Sequence, residues 1–358
     1  MINSMKKIAI IGTVGIPACY GGFESLVQNL VDYQSSDVSY TVFCSSKSYH
    51  LKQNTYKSAQ LKYIPLKANG ISSIPYDIIS LVRCLRIKYD VILILGVSGC
   101  MVLPLFRLFS RSRVVTNIDG LEWRRDKWGK VTKAFLKFSE RIAVKFSDVI
   151  IADNQAISDY VKSEYNKDSI VIAYGGEHAV INDAVISDEK SDYYLSLCRI
   201  EPENNVSMIL AAFANSRYKL KFVGNWNNSE YGLLLKDKYS KFDNIEIIDS
   251  IYDIEQLFIL RNMCKGYIHG HSAGGTNPSL VEAMQFGMDI FAYDCSFNRY
   301  TTEQNAHYFS SSSELCKIID EMEIGNIPKN GKIMSEIAQC RYQWSIISRM
   351  YEDTYNYK

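Results

Sequence analysis

Short runs of β-branched and aliphatic residues recur along this chain, each pair separated by enough sequence for one amphipathic helix. KIAIIG, SYTVFC, QLKYI, DVILILG, RVVTNI, DVIIA and SIVIAY stand in the first half. YYLSLC, YKLKFVG, NIEII, KGYIHG, MDIFAY and AHYF follow in the second. Most are continuously apolar instead of alternating, which is the pattern of strands covered on both faces. With helices between them, they predict two doubly wound α/β domains, each built on a parallel sheet.

The rhythm breaks at YGGEHAVINDAVISDEKSD (174–192), where glycines and then polar and acidic residues replace it. A domain linker is expected there, dividing residues 1–180 from 181–335, and 358 residues suffice for two such domains. Beyond them, Ile333, Ile337, Cys340, Trp344, Ile347 and Tyr351 form one apolar stripe, predicting a long terminal helix that includes 336–358. Such a stripe fits a helix packed on its own domain, or one that returns to the first.

Composition narrows the class. With 47% hydrophobic and 22% charged residues the chain is too apolar to be disordered, and a net charge of +1 points to no particular partner. Nine cysteines are scattered singly, without a CxxC pair, which argues against a disulfide framework and a zinc site and suits a reducing cytosol. The apolar run near the N-terminus stops at Gly12, short of a signal peptide, and no run approaches the ~18 residues of a membrane span. The expectation is a cytoplasmic protein, peripheral on a membrane at most.

Two loops carry the chemistry. In HGHSAGGTNPSLVEAMQFG (269–287), Asn277 is a favoured N-cap, Pro278 suits the first helical position and Gly287 is a natural stop. Gly274 and Gly275 let backbone N–H groups converge with those of the helix, an arrangement that receives a phosphate or diphosphate. Glu282, five residues past the cap, can accept hydrogen bonds from the vicinal hydroxyls of a ribose. The plainer reading is a capped helix after a tight turn, with Glu282 in water. The second loop, GTVGIPACYGGFE, follows the first strand and sits at a C-terminal strand end, where open α/β sheets bind ligands. It is neither GxGxxG nor a P-loop, and the second strand ends FCSSK without an acid, which argues against a nicotinamide-dependent dehydrogenase.

Taken in order, GTVGIPACYGGFE, NIDGLEWRRDKWG (117–129), RIEPENN (199–205) and HGHSAGGTNPSLVEAM resemble the retaining nucleotide-sugar transferases of glycosyltransferase family 4, closest to its rhamnosyltransferase-like bacterial branch. The resemblance implies a GT-B fold: two Rossmann-like domains facing a cleft, with the last helix crossing back to the first. It implies donor binding by Gly21, Gly22, Phe23, Arg199, Asn204, His271, Gly274, Gly275, Thr276, Asn277, Ser279 and Glu282. It further implies an acceptor, a saccharide or lipid-diphosphate-linked saccharide, held by Glu122, Trp123 and Arg124, with Asp119 nearest the reacting carbon. Arg199, Asp119 and Glu282 are the expected catalytic set.

Two positions depart from the family pattern. Asn204 stands where a diphosphate-binding lysine is usual, and Gly274 where a first glutamate would bond hydroxyls of the transferred sugar. The second loss is compatible with a deoxysugar, so dTDP-rhamnose is the expected co-substrate, with other UDP- or GDP-hexoses as rivals. No cofactor is expected beyond the donor and no metal, and D-x-D is absent. Retention would follow from same-face return of the acceptor, the leaving phosphate taking its proton. A catalytically silent sugar-nucleotide-binding protein remains the alternative of another class.

One segment stands apart. KVTKAFLKFSERIAVKF (130–146) sets Lys130, Lys133, Lys137, Arg141 and Lys145 on one stripe and Val131, Phe135, Phe138, Ile142 and Phe146 on an adjoining one. An ordinary helix would bury the apolar stripe in the core; a membrane-contacting one would turn it to anionic lipid. Nucleic acid is not an expected partner, since no matching fold motif accompanies the basic residues.

Overall fold

The computed structural model describes residues 5–19, 21–124, 128–181, 185 and 189–356. Arg125, Asp126 and Lys127 of the second motif, and residues 182–184 and 186–188 of the expected linker, lie outside them. The chain divides into two compact units, Met1–Ala173 with Trp344–Lys358, and Tyr174–Gln343.

The first unit runs β1 (Lys6–Ile11), α1 (Gly22–Asp32), β2 (Val38–Ser45), β3 (Thr55–Tyr56), β4 (Ala59–Ile64), α2 (Ser73–Cys84), β5 (Val91–Leu95), α3 (Leu103–Phe109), β6 (Arg113–Asn117), α4 (Lys130–Phe146), β7 (Val149–Ala152), α5 (Gln155–Tyr165) and β8 (Ile170–Val171). Its sheet has the order β3-β4-β2-β1-β5-β6-β7-β8, parallel except for the β3–β4 pair. Ile8, Ala9, Ile10 and Ile11 of β1 are fully buried, as a central strand covered on both faces requires. The steps from β4 to β5, β5 to β6 and β6 to β7 all run the same way across the sheet. Right-handed crossovers therefore lay α2, α3 and α4 on one face, while the reverse step from β1 to β2 lays α1 on the other.

The second unit runs β9 (Tyr194–Leu197), α6 (Val206–Ala214), β10 (Leu220–Gly224), α7 (Glu230–Tyr239), β11 (Ile245–Asp249), α8 (Ile254–Met263), β12 (Gly266–His269), α9 (Pro278–Met284), β13 (Asp289–Tyr293), α10 (Ser296–Thr301), β14 (His307–Phe309), α11 (Ser312–Glu323) and α12 (Gly331–Arg341). Its six strands are all parallel, in the order β11-β10-β9-β12-β13-β14. Tyr194, Phe213, Phe222, Trp226 and Phe291 lie in its core, packed by edge-on and tilted ring contacts.

The single terminal helix of the sequence reading is two helices. α12 ends at Arg341, and α13 (Trp344–Asn356) belongs to the first unit. The break falls at Tyr342, whose φ of −116° and ψ of 40° leave the helix. Its carbonyl accepts from Gly176 N–H (2.8 Å) and its hydroxyl donates to Thr301 O (2.7 Å), so both polar groups are committed outside the helix. The apolar stripe runs through this break unchanged because Ile337 and Trp344 are each buried, in different units.

Of the two readings of 130–146, burial of the apolar stripe in the core is not what the structure has. None of Val131, Phe135, Phe138, Ile142 and Phe146 is buried; α4 turns Leu136, Ser139, Glu140, Ala143 and Val144 inward instead. Its inner side carries two polar residues, each held: Ser139 Oγ donates to Val97 O, and Glu140 accepts from three aromatic side chains.

Candidate active site

In the second unit β9 lies between β10 and β12, so the chain leaves β9 toward one edge and β12 toward the other. The loops after these strands part at their C-terminal ends, the switch point where doubly wound sheets bind ligands. Those loops are RIEPENN and HGHSAGGTN, two of the four motifs.

They are tied to each other. Asn205 Nδ2 donates to Gly270 O (2.8 Å), and Ser272 donates from both N–H and Oγ to Glu203 O (3.0 and 2.8 Å). Gly270 is required here, because a Cβ would stand 2.2 Å from Asn204 O. Beyond it Gly274 adopts φ +118° with open space where a side chain would be, leaving backbone accessible at the loop tip. Asn277 caps α9 as expected, its Oδ1 accepting from Ser279 N–H (3.1 Å) and Ser279 Oγ (2.9 Å). The helix is only seven residues long, ending at Met284, and Gly287 takes φ +63° three residues later.

Arg199 stands at the switch point with its side chain half-exposed and Nη1 paired with Glu201 at 3.5 Å; a guanidinium has five N–H donors, so it can keep this pair and still receive a phosphate. Asn204 is different. It is 2% exposed and its Nδ2 donates to Arg199 O (2.7 Å), so it holds the arginine's backbone.

Glu282 is not in water. Its carboxylate bonds Arg261 Nη2, from a side chain only 4% exposed, and lies 3.3 Å from His178 Nε2. Burial pushes this carboxyl up, but Arg261 and His178 outweigh it and hold it below its ordinary value. A carboxylate offers about four lone-pair sites, so hydroxyls can still be accepted on the partly exposed side. Sequence reading missed both partners. The signal for Arg261 was a lone cation inside the apolar stretch LFILRNMC; His178 had none.

His271 stacks on His269 at 4.3 Å, with the planes 14° apart. His269 is 1% exposed and burial pushes its imidazole down to about 3, so it is neutral at ordinary pH. His271 O accepts from Asn298 Nδ2 (2.9 Å), which fixes the start of the loop. Thr276 is buried at its end.

In the first unit the corresponding switch point lies between β1 and β5. Gly12, at φ +88°, passes so close to β5 that a Cβ would meet Leu95 O at 2.0 Å. Glu24, 4% exposed, accepts from Thr13 Oγ1 (2.8 Å) and Val14 N–H (2.6 Å), drawing the loop down onto α1. Gly21 is the N-cap of α1 in extended conformation, Gly22 is exposed beside it, and Phe23 lies against Gly96.

Asp119 stands two residues past the end of β6 in a turn with two left-handed residues, Asp119 (φ +60°) and Leu121 (φ +57°). Asn117 holds it. Its Oδ1 accepts from Asp119 N–H (3.0 Å), and its Nδ2 donates to Tyr351 OH of α13 (2.8 Å). The residues expected to hold an acceptor are committed within the chain. Trp128 Nε1 donates to Glu122 Oε1 (3.0 Å), and Trp123 Nε1 to the buried Glu140 (3.0 Å). Lys137 lies over the Trp123, Tyr160 and Tyr165 rings at 4.6, 4.7 and 5.0 Å, and Arg124 over Trp123 at 5.1 Å. Trp123 thereby ties its turn to α4. Among the described residues, no cluster of three or more His, Cys, Asp or Glu side chains could hold a metal ion.

Residues 180–322 match the family glycosyl transferases group 1, and residues 5–177 match a domain of unknown function (DUF1972). No curated protein matches the chain. Among solved structures it is similar to the sucrose-phosphate synthase of Thermosynechococcus elongatus, at TM-score 0.77 and 14% identity, with 98% of each chain covered. It is also similar to Anabaena HepE in complex with UDP, at TM-score 0.72 and 14% identity over 98% of this chain and 99% of that one. A glycosyltransferase of Rickettsia africae gives TM-score 0.72 and 12% identity over 99% and 98%.

Proposed function

We propose, for a GT-B chain whose residues 180–322 are a glycosyltransferase group 1 domain, that it transfers a hexose from a nucleotide-sugar to a saccharide or lipid-diphosphate-linked saccharide in bacterial surface polysaccharide synthesis. The observation that carries this is the β9/β12 switch point: Arg199, the open backbone at Gly274 and the carboxylate of Glu282 all belong to the matched segment. Arg199 and the loop backbone at Gly274 and Gly275 would receive the diphosphate, and Glu282 the ribose. His271, Thr276, Asn277 and Ser279 would line the sugar side. In the first unit Gly21, Gly22 and Phe23 would face the donor and Asp119 the reacting carbon.

Breaking the glycosidic phosphate bond leaves charge on the diphosphate, so donors fixed at that charge lower the barrier. The acceptor oxygen would enter on the same face, the leaving phosphate taking its proton, and configuration would be retained. Loss of one such donor costs about 100- to 1000-fold in rate, the effect expected of Arg199→Met.

For the donor the first reading is dTDP-rhamnose, because Gly274 supplies no carboxylate to sugar hydroxyls. HepE has been solved with UDP-glucose, which makes a UDP-hexose the second. Thermal stabilisation by dTDP, UDP and GDP separates them, since a ligand at 100 times its dissociation constant adds about 2.7 kcal/mol. A shift with dTDP alone supports rhamnose. One with UDP or GDP alone discards that sugar, and no shift with any discards the donor site. Release of dTDP from dTDP-rhamnose on adding an acceptor would exclude a silent binding protein.

A further inference from the structure

We propose that the outer face of α3 and α4 docks on an anionic lipid bilayer. The topology sets both helices on one face of the first unit's sheet, and Arg107 of α3 donates to Phe146 O at the end of α4 (2.9 Å), so they lie side by side. On α3, Leu105, Leu108 and Phe109 are 59%, 76% and 72% exposed. On α4, Val131 and Phe138 are 85% and 54% exposed, while the inner side of that helix carries Leu136, Ser139, Glu140, Ala143 and Val144. Large apolar side chains exposed together on two neighbouring helices are arranged for a partner, not for water.

Charge chooses the partner. Arg111, Lys130, Arg141 and Lys145 are exposed among these apolar side chains. Residues 101–145 hold eleven Lys/Arg against four Asp/Glu. One of the acids, Glu140, is buried against aromatic hydroxyls and an indole. Beside α4 a groove of about 740 Å³ is lined by Phe138, Arg141, Lys145, Tyr165 and Lys167, and its one carboxylate, Glu164, is paired with Lys137 (3.0 Å). Isolated apolar tips enter the acyl boundary of a bilayer, and cations between them meet headgroup phosphates. No helix is long and apolar enough to cross a membrane among the described residues, so the contact is peripheral.

The test uses the full chain and sucrose-loaded vesicles, either pure phosphatidylcholine or an equal mixture with phosphatidylglycerol. Sedimentation is expected with the mixed vesicles and little with the neutral ones. Arg141→Ser with Lys145→Ser should weaken binding roughly 25-fold, about fivefold per charge. Leu108→Ser with Phe109→Ser should also release the protein, because apolar insertion is part of the contact. A chain that stays in solution with the mixed vesicles overturns the proposal, as does either variant binding like the unmodified protein. All four substitutions are at exposed residues of the first unit, so nucleotide-induced stabilisation should persist in both variants. Its absence in the unmodified protein would count against the donor site and not against docking.

Discussion

Replacing Glu282 by Gln keeps the shape of the side chain and removes its charge, leaving Arg261 without an anion. The Arg261 side chain is 4% exposed, so water cannot take the place of the carboxylate. One amide arm must also present a donor to either Arg261 or His178, both donors in this contact. Breaking a buried pair from one side costs about 3–5 kcal/mol, and the oxygen that Gln retains puts this case near 3. For a unit the size of Tyr174–Gln343 that is a fall in Tm of roughly 6–12 °C. The pH dependence separates this from a packing defect. The carboxyl is held below its ordinary value, so its stabilisation is complete above the unfolded pKa and is lost as pH falls through the folded one. Thermal scans should therefore show a constant gap between the two proteins from about pH 7 to 5, closing below about pH 4. A gap under about 2 °C at neutral pH, or one that persists undiminished in acid, refutes the pairing as the source of stability.

His269 is held at about 3, below its ordinary value, so the unfolded chain binds the proton first and stability falls as pH drops below about 6.5. By pH 5 this one group removes roughly 2 kcal/mol, and His269→Phe should flatten that slope in calorimetric scans. Gly270→Ala forces a Cβ to 2.2 Å from Asn204 O, and should destabilise the second unit by about 1–3 kcal/mol in denaturant titration. Tyr351→Phe removes the acceptor of Asn117 Nδ2 and loosens the Asp119 turn. Turnover should fall while donor affinity is unchanged; an unaltered kcat would separate Tyr351 from the reaction. Glu140→Gln disrupts the acceptor shared by Trp123, Tyr160 and Tyr165, and should raise proteolytic cleavage around residues 121–124. Equal cleavage of both proteins would show that this carboxylate does not hold the loop.

Much of this protein follows from local rules. Continuous apolar runs decided that the strands are buried, and their separation decided the α/β class. Asn277, Pro278 and Gly287 marked a helix because capping and left-handed backbone are properties of a few consecutive residues. The two loops at the switch points were legible for the same reason, since where a strand ends is a local fact.

Tertiary structure decided whatever depends on partners far apart in the chain. Periodicity reports that one side of a helix is apolar, not what faces it. The stripe through Ile337 and Trp344 therefore looked continuous across a break set by Gly176 and Thr301, and the apolar stripe of α4 could not be told from core, although none of its five side chains is buried. Asn204 stands where a phosphate-binding lysine is usual, and only the folded chain shows its buried amide holding Arg199 O. Glu282 read as a lone carboxylate, yet Arg261 and His178 reach it from 21 and 104 positions up the chain. Buried charge must be paired, but which partner answers it is settled only when the chain is folded.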